Sequence, residues 1–193
     1  MWRQIAPAFR ITALFTILTG LIYPALVTAV CQALFPFQAN GSLIRSGGAV
    51  IGSTLIGQNF HRPEYLQPRP SAAGNDGYDA TASGGSNLGP TNPKLIDRVR
   101  AAAAQFRREN PSATGPLPAD LLTTSASGLD PDLSPESALL QADRIAAARQ
   151  AREAAVRELI EKHITGRAAG LLGEPRVNVI ETNLDLDRRF PKH

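Results

Sequence analysis

The sequence predicts an α+β fold, with one N-terminal transmembrane helix followed by a single extracytoplasmic domain of about three helices on a small sheet. Three observations support this prediction. No Asp, Glu, Lys, Arg or His occurs between Arg10 and Arg45 of the 193-residue chain. The part that follows the apolar stretch, about 155 residues, is long enough for one compact domain. Within that part, helix-starting patterns alternate with short β-branched runs.

The apolar stretch at residues 11–37 reads ITALFTILTGLIYPALVTAVCQALFPF. A spanning helix needs roughly 20 apolar residues to cross a hydrocarbon core about 30 Å thick. We therefore predict a cytoplasmic N-terminus at 1–10, a transmembrane helix at 11–35 and an extracytoplasmic domain at 36–193. The alternative is a signal peptide, cleaved after Val27-Thr28-Ala29, that releases a secreted binding module. Because the apolar run continues past Ala29 to Phe37, a retained helix is favoured.

The charges beside the helix predict its orientation. Arg3 and Arg10 precede it, whereas only Arg45 lies in the two dozen residues that follow. Cytoplasmic flanks carry the excess of Lys and Arg. The N-terminus is therefore expected in the cytoplasm, and the main domain in the periplasm of a bacterium whose inner membrane holds the helix.

Small side chains recur every four residues along the helix, first before Pro24 and again after it. Such spacing lets helix backbones approach closely within lipid, although small residues are also common in spanning helices generally. We expect this face to contact a partner helix, and Pro24 to kink the helix. The predicted contact residues are Thr12, Thr16, Gly20, Ala25, Ala29 and Ala33.

The region after the helix begins with strand signals and continues with turns. Leu43-Ile44 and Ala49-Val50-Ile51 predict short strands around a Ser46-Gly47-Gly48 turn, and Thr54-Leu55-Ile56 is expected to continue the sheet. Residues 62–93 hold many prolines and glycines. The aromatic residues Phe60, Tyr65 and Tyr78 predict that this long irregular segment is an ordered loop fixed to the domain.

Two helix starts share one pattern, a capping side chain followed by proline at the first helical position. Asn92-Pro93 begins a helix whose apolar stripe is Leu95, Val99, Ala102 and Phe106, and Ser134-Pro135 begins a second with Leu139, Ala142, Ile145 and Ala146 buried. We predict a third helix at 151–165, capped by Gly166. The remaining predicted elements are strands at 121–124 and 176–182 and a polar C-terminal tail.

The glycine-rich segment at 83–93 is the richest in candidate binding groups. It resembles a phosphate-binding P-loop only loosely, since Pro90 stands where the lysine would be and supplies neither charge nor amide donor. A tight loop leading into the following helix is the favoured interpretation, and an anion site at the helix start is the alternative. Gln141 could contact a ligand, but is more readily placed against solvent or another element. The candidate nucleotide, anion or partner residues are Ser83, Gly84, Gly85, Ser86, Asn87, Gly89 and Gln141.

No catalytic or metal-binding set stands out elsewhere. The four aspartates nearest to loop signals match no calcium-loop spacing and are assigned structural roles, and the three histidines have no partners at ligand spacing. The single cysteine falls in the apolar stretch. The net charge of +3 is spread along helices, which excludes a nucleic-acid interface. These residues are Asp76, Asp79, Asp130, Asp132, His61, His163, His193 and Cys31.

Several motifs occur in an order that resembles the C subunit of the Kdp-type potassium-transporting ATPase, over nearly the whole chain. The longest is Ser-Gly-Gly-Ser-Asn-Leu-Gly-Pro-Thr-Asn-Pro at 83–93. The others are Gly57-Gln58-Asn59-Phe60, Arg69-Pro70-Ser71-Ala72, Tyr78-Asp79, Ser127-Gly128-Leu129-Asp130-Pro131, Gln141 with Arg144-Ile145-Ala146, and Arg176-Val177-Asn178-Val179.

The resemblance implies a non-catalytic accessory subunit of a high-affinity, ATP-driven potassium transport complex. Its partners are then a potassium-conducting, channel-like subunit and an ATP-hydrolysing P-type subunit, and its role is to stabilise assembly and raise the apparent ATP affinity. No cofactor is expected. Because the main domain is predicted outside the cytoplasm, the effect on ATP is expected to be indirect. The alternative is a membrane-anchored nucleotide- or anion-binding protein.

Overall fold

The structure is a computed structural model that describes residues 2–191, apart from the side chain of Trp2. It contains two compact units, which meet in sequence between Ser53 and Thr54. The first unit holds the apolar helix and a β-hairpin. The second holds the remaining helices and a three-stranded sheet.

The apolar helix is continuous but contains one widened turn. It comprises α1 (Trp2–Ile17), a π-helical turn (Leu18–Ile22) and α2 (Tyr23–Leu34), and it is followed by the short α3 (Pro36–Ala39). Its start at Trp2 lies nine residues before the predicted one at Ile11. The π turn lies directly before Pro24, whose ring would clash with the carbonyl four residues earlier in a regular α-helix. The chain thus widens one turn around Pro24 instead of breaking.

The predicted hairpin is confirmed. β1 (Leu43–Ser46) pairs antiparallel with β2 (Ala49–Ser53) around a two-glycine turn. Gly47 and Gly48 both have positive φ, at 56° and 85°, which glycine adopts without the steric cost of a Cβ. The prediction that Thr54 and Leu55 continue the sheet is wrong, because both lie in a turn.

The second unit contains five helices, a 3₁₀ turn and three short strands. The sheet is antiparallel in the order β3-β5-β4, so Val177 in the central strand pairs with both Leu133 and Ile164. The elements are α4 (Pro93–Glu109), the 3₁₀ turn (Ala119–Leu121), β3 (Asp132–Leu133), α5 (Pro135–Leu139), α6 (Ala142–Arg149), α7 (Glu153–Lys162), β4 (Ile164–Thr165), β5 (Arg176–Asn178) and α8 (Val179–Arg189).

Both predicted helix starts are confirmed. The side chain of Asn92 accepts a hydrogen bond from the Lys94 amide at 3.0 Å. Ser134 accepts from the Ser137 amide at 3.2 Å. These caps satisfy backbone donors that have no partner within the helix.

Four predictions of elements in the second unit are wrong. The 121–124 strand is a 3₁₀ turn ending at Leu121, and the helix expected after Ser134 is divided into α5 and α6 by a turn at Gln141. Helix α7 ends at His163 and enters β4 before Gly166 is reached. The 176–182 strand ends at Asn178, where that side chain caps α8 by accepting from the Glu181 amide at 3.1 Å.

The core of the second unit lies between α5–α8 and the sheet. Its fully buried members come from each of these elements and from the irregular segment before α4, which confirms that this segment is fixed to the domain. Of the predicted α4 stripe only Phe106 is fully buried, while Leu95, Val99 and Ala102 are half-buried. The largest buried side chains are Leu66, Leu133, Ile145, Leu159, Ile160 and Leu186.

Candidate functional site

The irregular segment at residues 62–67, which we call the anchor segment, is held by buried polar side chains. Gln141 accepts from the Gln67 amide at 2.9 Å and donates to the Gln67 carbonyl at 3.1 Å. Asn183 pairs in the same way with the Leu66 amide and carbonyl, at 2.7 and 2.9 Å. Two side-chain amides thus take the place of a neighbouring strand for two consecutive residues.

Two arginines of α6 complete the fixation of the anchor segment. Arg144 donates to the carbonyls of Pro63 and Tyr65 and, at 2.6 Å, to the Gln141 side chain. Arg149 donates to the Glu64 carbonyl at 2.7 Å and lies over the Tyr65 ring, 5.1 Å from its centroid. Burial lowers the pKa of the Arg144 guanidinium to about 10, which still leaves it charged at neutral pH.

These contacts decide between the two interpretations of Gln141. The residue is fully buried, and its amide oxygen and nitrogen both have partners in the protein. The interpretation in which Gln141 contacts another element is therefore the one that the structure shows. Asn183, Arg144 and Arg149 were not identified from the sequence as site residues. The available signal was a set of polar residues at positions of the apolar helical pattern.

A groove of about 550 Å³ lies between α4 and the irregular segment at residues 59–78. It has an apolar wall that includes Leu95 and Phe106, and a Gln141 atom reaches its floor. Of the predicted candidate residues, the groove brings together only Ser86 and Gln141. Its charged lining residues are Arg69, Asp76, Arg98 and Glu109.

The glycine-rich segment at 83–93 forms a tight loop into α4, as favoured above. The Gly84 amide donates to the Ser127 carbonyl at 2.8 Å, and the Ser83 hydroxyl donates to the same carbonyl at 3.0 Å. A Cβ on Gly85 would lie 3.0 Å from the Ala126 carbonyl oxygen, so the loop packs closely against the backbone at 125–128. These groups are engaged with the protein rather than arranged around a phosphate.

A second cluster fixes the same region through Arg69 and Tyr78. Arg69 forms an ion pair with Asp130 at 2.7 Å, and the Tyr78 hydroxyl donates to the Arg69 carbonyl at 2.9 Å. Burial raises the pKa of the Tyr78 hydroxyl far above its usual range. The Ser71 hydroxyl donates to the Gly128 carbonyl at 2.6 Å and accepts from the Tyr78 amide.

The aspartates singled out from the sequence have structural contacts. Asp79 accepts from the Thr81 amide and hydroxyl, and Asp130 from the Asp132 amide as well as from Arg69. Asp132 forms an ion pair with Arg176 at 2.9 Å. Burial raises the pKa of the Asp132 carboxyl, although Arg176 opposes this shift. Among residues 2–191, no three His, Cys, Asp or Glu side chains are grouped as a metal site.

The histidines lie apart from one another. His61 lines the groove, and His163 contacts the Leu159 carbonyl through Nδ1 at 2.9 Å while its Nε2 lies 3.9 Å from Asp185. His193 lies outside the described residues. The predicted helix-contact residues Thr12, Thr16, Gly20, Ala25, Ala29 and Ala33 are all exposed on the apolar helix.

Comparison with known proteins gives one consistent result. The family model described as "KdpC: K+-transporting ATPase, c chain" matches residues 5–188. The chain is 54% identical to the potassium-transporting ATPase KdpC subunit of Beijerinckia indica over 191 residues, covering 99% of this chain and 96% of that protein. It is 54% identical over 191 residues to the subunit of the same name from Myxococcus xanthus, with 98% and 90% covered. It is 53% identical over 194 residues to that from Caulobacter sp. strain K31, with 100% and 97% covered.

Proposed function

We propose a function from the premise that this chain belongs to the KdpC family, the c chain of K+-transporting ATPases, and is an accessory subunit of a potassium transport complex. It is a non-catalytic subunit that stabilises assembly and raises the apparent ATP affinity of the ATP-hydrolysing subunit. The observation that carries this proposal is an exposed apolar helix, joined in one chain to a folded unit that matches the family throughout.

The helix supports membrane attachment. Residues Arg3–Leu34 form 32 helical residues that are long and apolar enough to cross a membrane. At 1.5 Å per residue this is about 48 Å, longer than the hydrocarbon core of about 30 Å. The part after Arg10 suffices to span the core, and the turns at 2–10 then extend beyond it on the N-terminal side.

The π turn supports the predicted partner-helix face by joining its two halves. In a regular α-helix, Ala25 would lie about 140° around the axis from Gly20, because it is five residues further on. The π turn accommodates one extra residue, which brings Ala25 to within about 40° of Gly20. The row Thr12-Thr16-Gly20 thus continues into Ala25-Ala29-Ala33 as one face of small residues, which permits close packing against a neighbouring helix.

The orientation follows from the positive charges. Arg3 and Arg10 precede the spanning part, and Arg45 is the only charged residue between it and His61, so the N-terminus lies in the cytoplasm and the second unit in the periplasm. A protease added to sealed inside-out inner-membrane vesicles is expected to leave the second unit intact, and one added to spheroplasts to digest it. The reverse pattern contradicts this orientation.

A periplasmic unit cannot contact cytoplasmic ATP, so its effect on ATP affinity is conformational. It packs beside the potassium entrance of the channel-like subunit and contacts one state of the complex more favourably than another. Such differential contact shifts the equilibrium between states, and by linkage changes the affinity at a distant site. The buried fixation of the anchor segment supports this role, because a rigid surface can distinguish two shapes of a partner.

The test compares variants on opposite sides of the helix. Ala29→Leu enlarges a residue of the small-residue face, whereas the control Val27→Phe adds bulk about 160° away. We expect Ala29→Leu to reduce the chain that co-purifies with the complex about tenfold and to raise the KM for ATP, with the fold of the second unit unchanged. Equal co-purification and KM for wild type and Ala29→Leu would contradict the proposal.

A membrane-anchored nucleotide- or anion-binding protein is the second candidate, favoured by the groove beside α4. Arg69 lines this groove, and its buried Nε has no hydrogen-bond partner among the described residues. Calorimetry of the full chain in detergent distinguishes the two candidates. Saturable heat on adding ATP supports nucleotide binding, and heat of dilution alone removes this candidate.

A further inference from the structure

Tyr23 lies at the centre of the membrane-spanning part of the helix. It is 12 residues from Ile11 and 11 from Leu34, so about 17 Å of helix separates it from either end. Its side chain is 64% exposed. Among residues 2–191, its hydroxyl has no hydrogen-bond partner.

An unpaired hydroxyl at this depth is unfavourable. Transfer of a hydroxyl from water into hydrocarbon without a hydrogen bond costs several kcal/mol. Polar side chains near helix ends avoid this cost by reaching the interface, but the interface is too far from the middle of the span for a tyrosine. Its ring can remain among lipid chains, whereas its hydroxyl requires a partner.

The backbone and a second hydroxyl make the same level of the helix polar. The Tyr23 amide donates to the Leu18 carbonyl, and Pro24 has no amide hydrogen, so the π turn has one carbonyl without an amide donor. Thr19, one turn before Tyr23, donates its hydroxyl to the Phe15 carbonyl at 2.6 Å and can still accept a hydrogen bond. Tyr23 and Thr19 therefore form a polar patch at the middle of the bilayer.

This midplane patch lies away from the small-residue face. The turn from Gly20 to Ala25 covers a little more than one revolution. Tyr23 therefore lies roughly opposite Gly20 and Ala25 around the axis. A helix that packs on the small-residue face cannot also satisfy the Tyr23 hydroxyl.

We propose that the Tyr23 hydroxyl hydrogen-bonds to a polar side chain of a second transmembrane helix, contributed by another subunit of the complex at the middle of the bilayer. This inference rests on the proposed function, since a transport complex supplies other spanning subunits. The helix then has two partner faces, one packed through small residues and one held by a hydrogen bond. The partner residue is one that bonds a phenol, such as Ser, Thr, Asn, Gln or a carboxylate.

The first test is Tyr23→Phe in the whole complex, because it removes the hydroxyl alone. We expect a threefold to tenfold rise in the dissociation constant of the chain from the other subunits in mixed lipid–detergent micelles. The control Phe35→Tyr adds a hydroxyl at the end of the span and is expected to leave binding unchanged. Wild-type affinity for Tyr23→Phe would overturn the inference while leaving the proposed function intact, since the chain would still co-purify.

The second test identifies what lies against residue 23. A photo-reactive benzoylphenylalanine placed at this position in membranes is expected to cross-link to another subunit of the complex. Adducts between two copies of this chain, or with lipid alone, would overturn the inference. Failure of the wild-type chain to co-purify with any other subunit would instead refute the proposed function.

Discussion

Substituting Gln141 by leucine tests whether this residue holds the anchor segment or contacts a ligand. Leucine has a similar size but no hydrogen-bonding group. The substitution removes the two hydrogen bonds to the Gln67 backbone and the one from Arg144. The Gln67 amide and carbonyl, together with one Arg144 N–H, are then left buried without partners.

The magnitude follows from these three groups. A buried polar group left unpaired costs about 1–3 kcal/mol, and the added apolar burial of leucine returns about 1–2 kcal/mol. We therefore expect a loss of about 3–5 kcal/mol in the free energy of unfolding, a large part of the 5–15 kcal/mol typical of a domain. For a unit of this size, the thermal midpoint falls by about 10–15 °C.

The assay is thermal unfolding of the full chain in detergent, followed by circular dichroism. Gln67→Ala is the control, because it truncates the neighbouring side chain but keeps the backbone groups that Gln141 binds. Its midpoint is expected to change by less than about 3 °C. A wild-type midpoint for Gln141→Leu, combined with weaker ATP binding by the full chain, would refute our assignment and restore Gln141 as a ligand contact.

Three further predictions concern local features of the second unit. Gly128 has φ +66°, and a Cβ there would lie 2.6 Å from the Gly84 carbonyl oxygen; Gly128→Ala is expected to lower the free energy of unfolding by about 2–4 kcal/mol, whereas Gly115→Ala, with nothing within 4 Å, leaves it nearly unchanged. Burial opposes ionisation of Asp120, but donors from the start of α5 outweigh it and lower the pKa of that carboxyl. Asp120 thus contributes stability above its unfolded value of 3.8, and this is lost as the pH falls through the lower folded value; Asp120→Asn, less stable by about 1–3 kcal/mol at pH 7, is expected to approach wild type in acid unfolding curves. Asn92→Ala removes the α4 cap and about 1 kcal/mol, which faster hydrogen exchange confined to the first turn of α4 reports.

The elements that could be predicted from sequence are those whose determinants are local. Asn92-Pro93 and Ser134-Pro135 place a cap beside a residue already fixed in helical φ. The hairpin turn rests on two adjacent glycines. The start of α8 had a local signal as well, since Asn178 and Glu181 have the spacing of a capping box, but the alternation of Val177 and Val179 favoured a strand.

The elements that were mispredicted depend on distant contacts. The turn at Gln141 divides one apolar pattern into α5 and α6, and its side chain meets Gln67, 74 residues away in the sequence. Residues 121–124 are apolar enough for a strand, but no neighbouring strand pairs with them among the described residues. A β-propensity acts only where such a neighbour exists.

The sequence by itself determined that this chain has one helix able to cross a membrane, where its capped helices begin, and to which family it belongs. These properties depend on composition and on spacings of a few residues, and hydrophobicity and backbone capping act at that range. Only the tertiary structure decided that Gln141 and Asn183 bind the backbone of the anchor segment, since Asn183 is 117 residues from Leu66. A buried amide gains a hydrogen bond only where folding brings a complementary group to it, and no local pattern specifies which group that is.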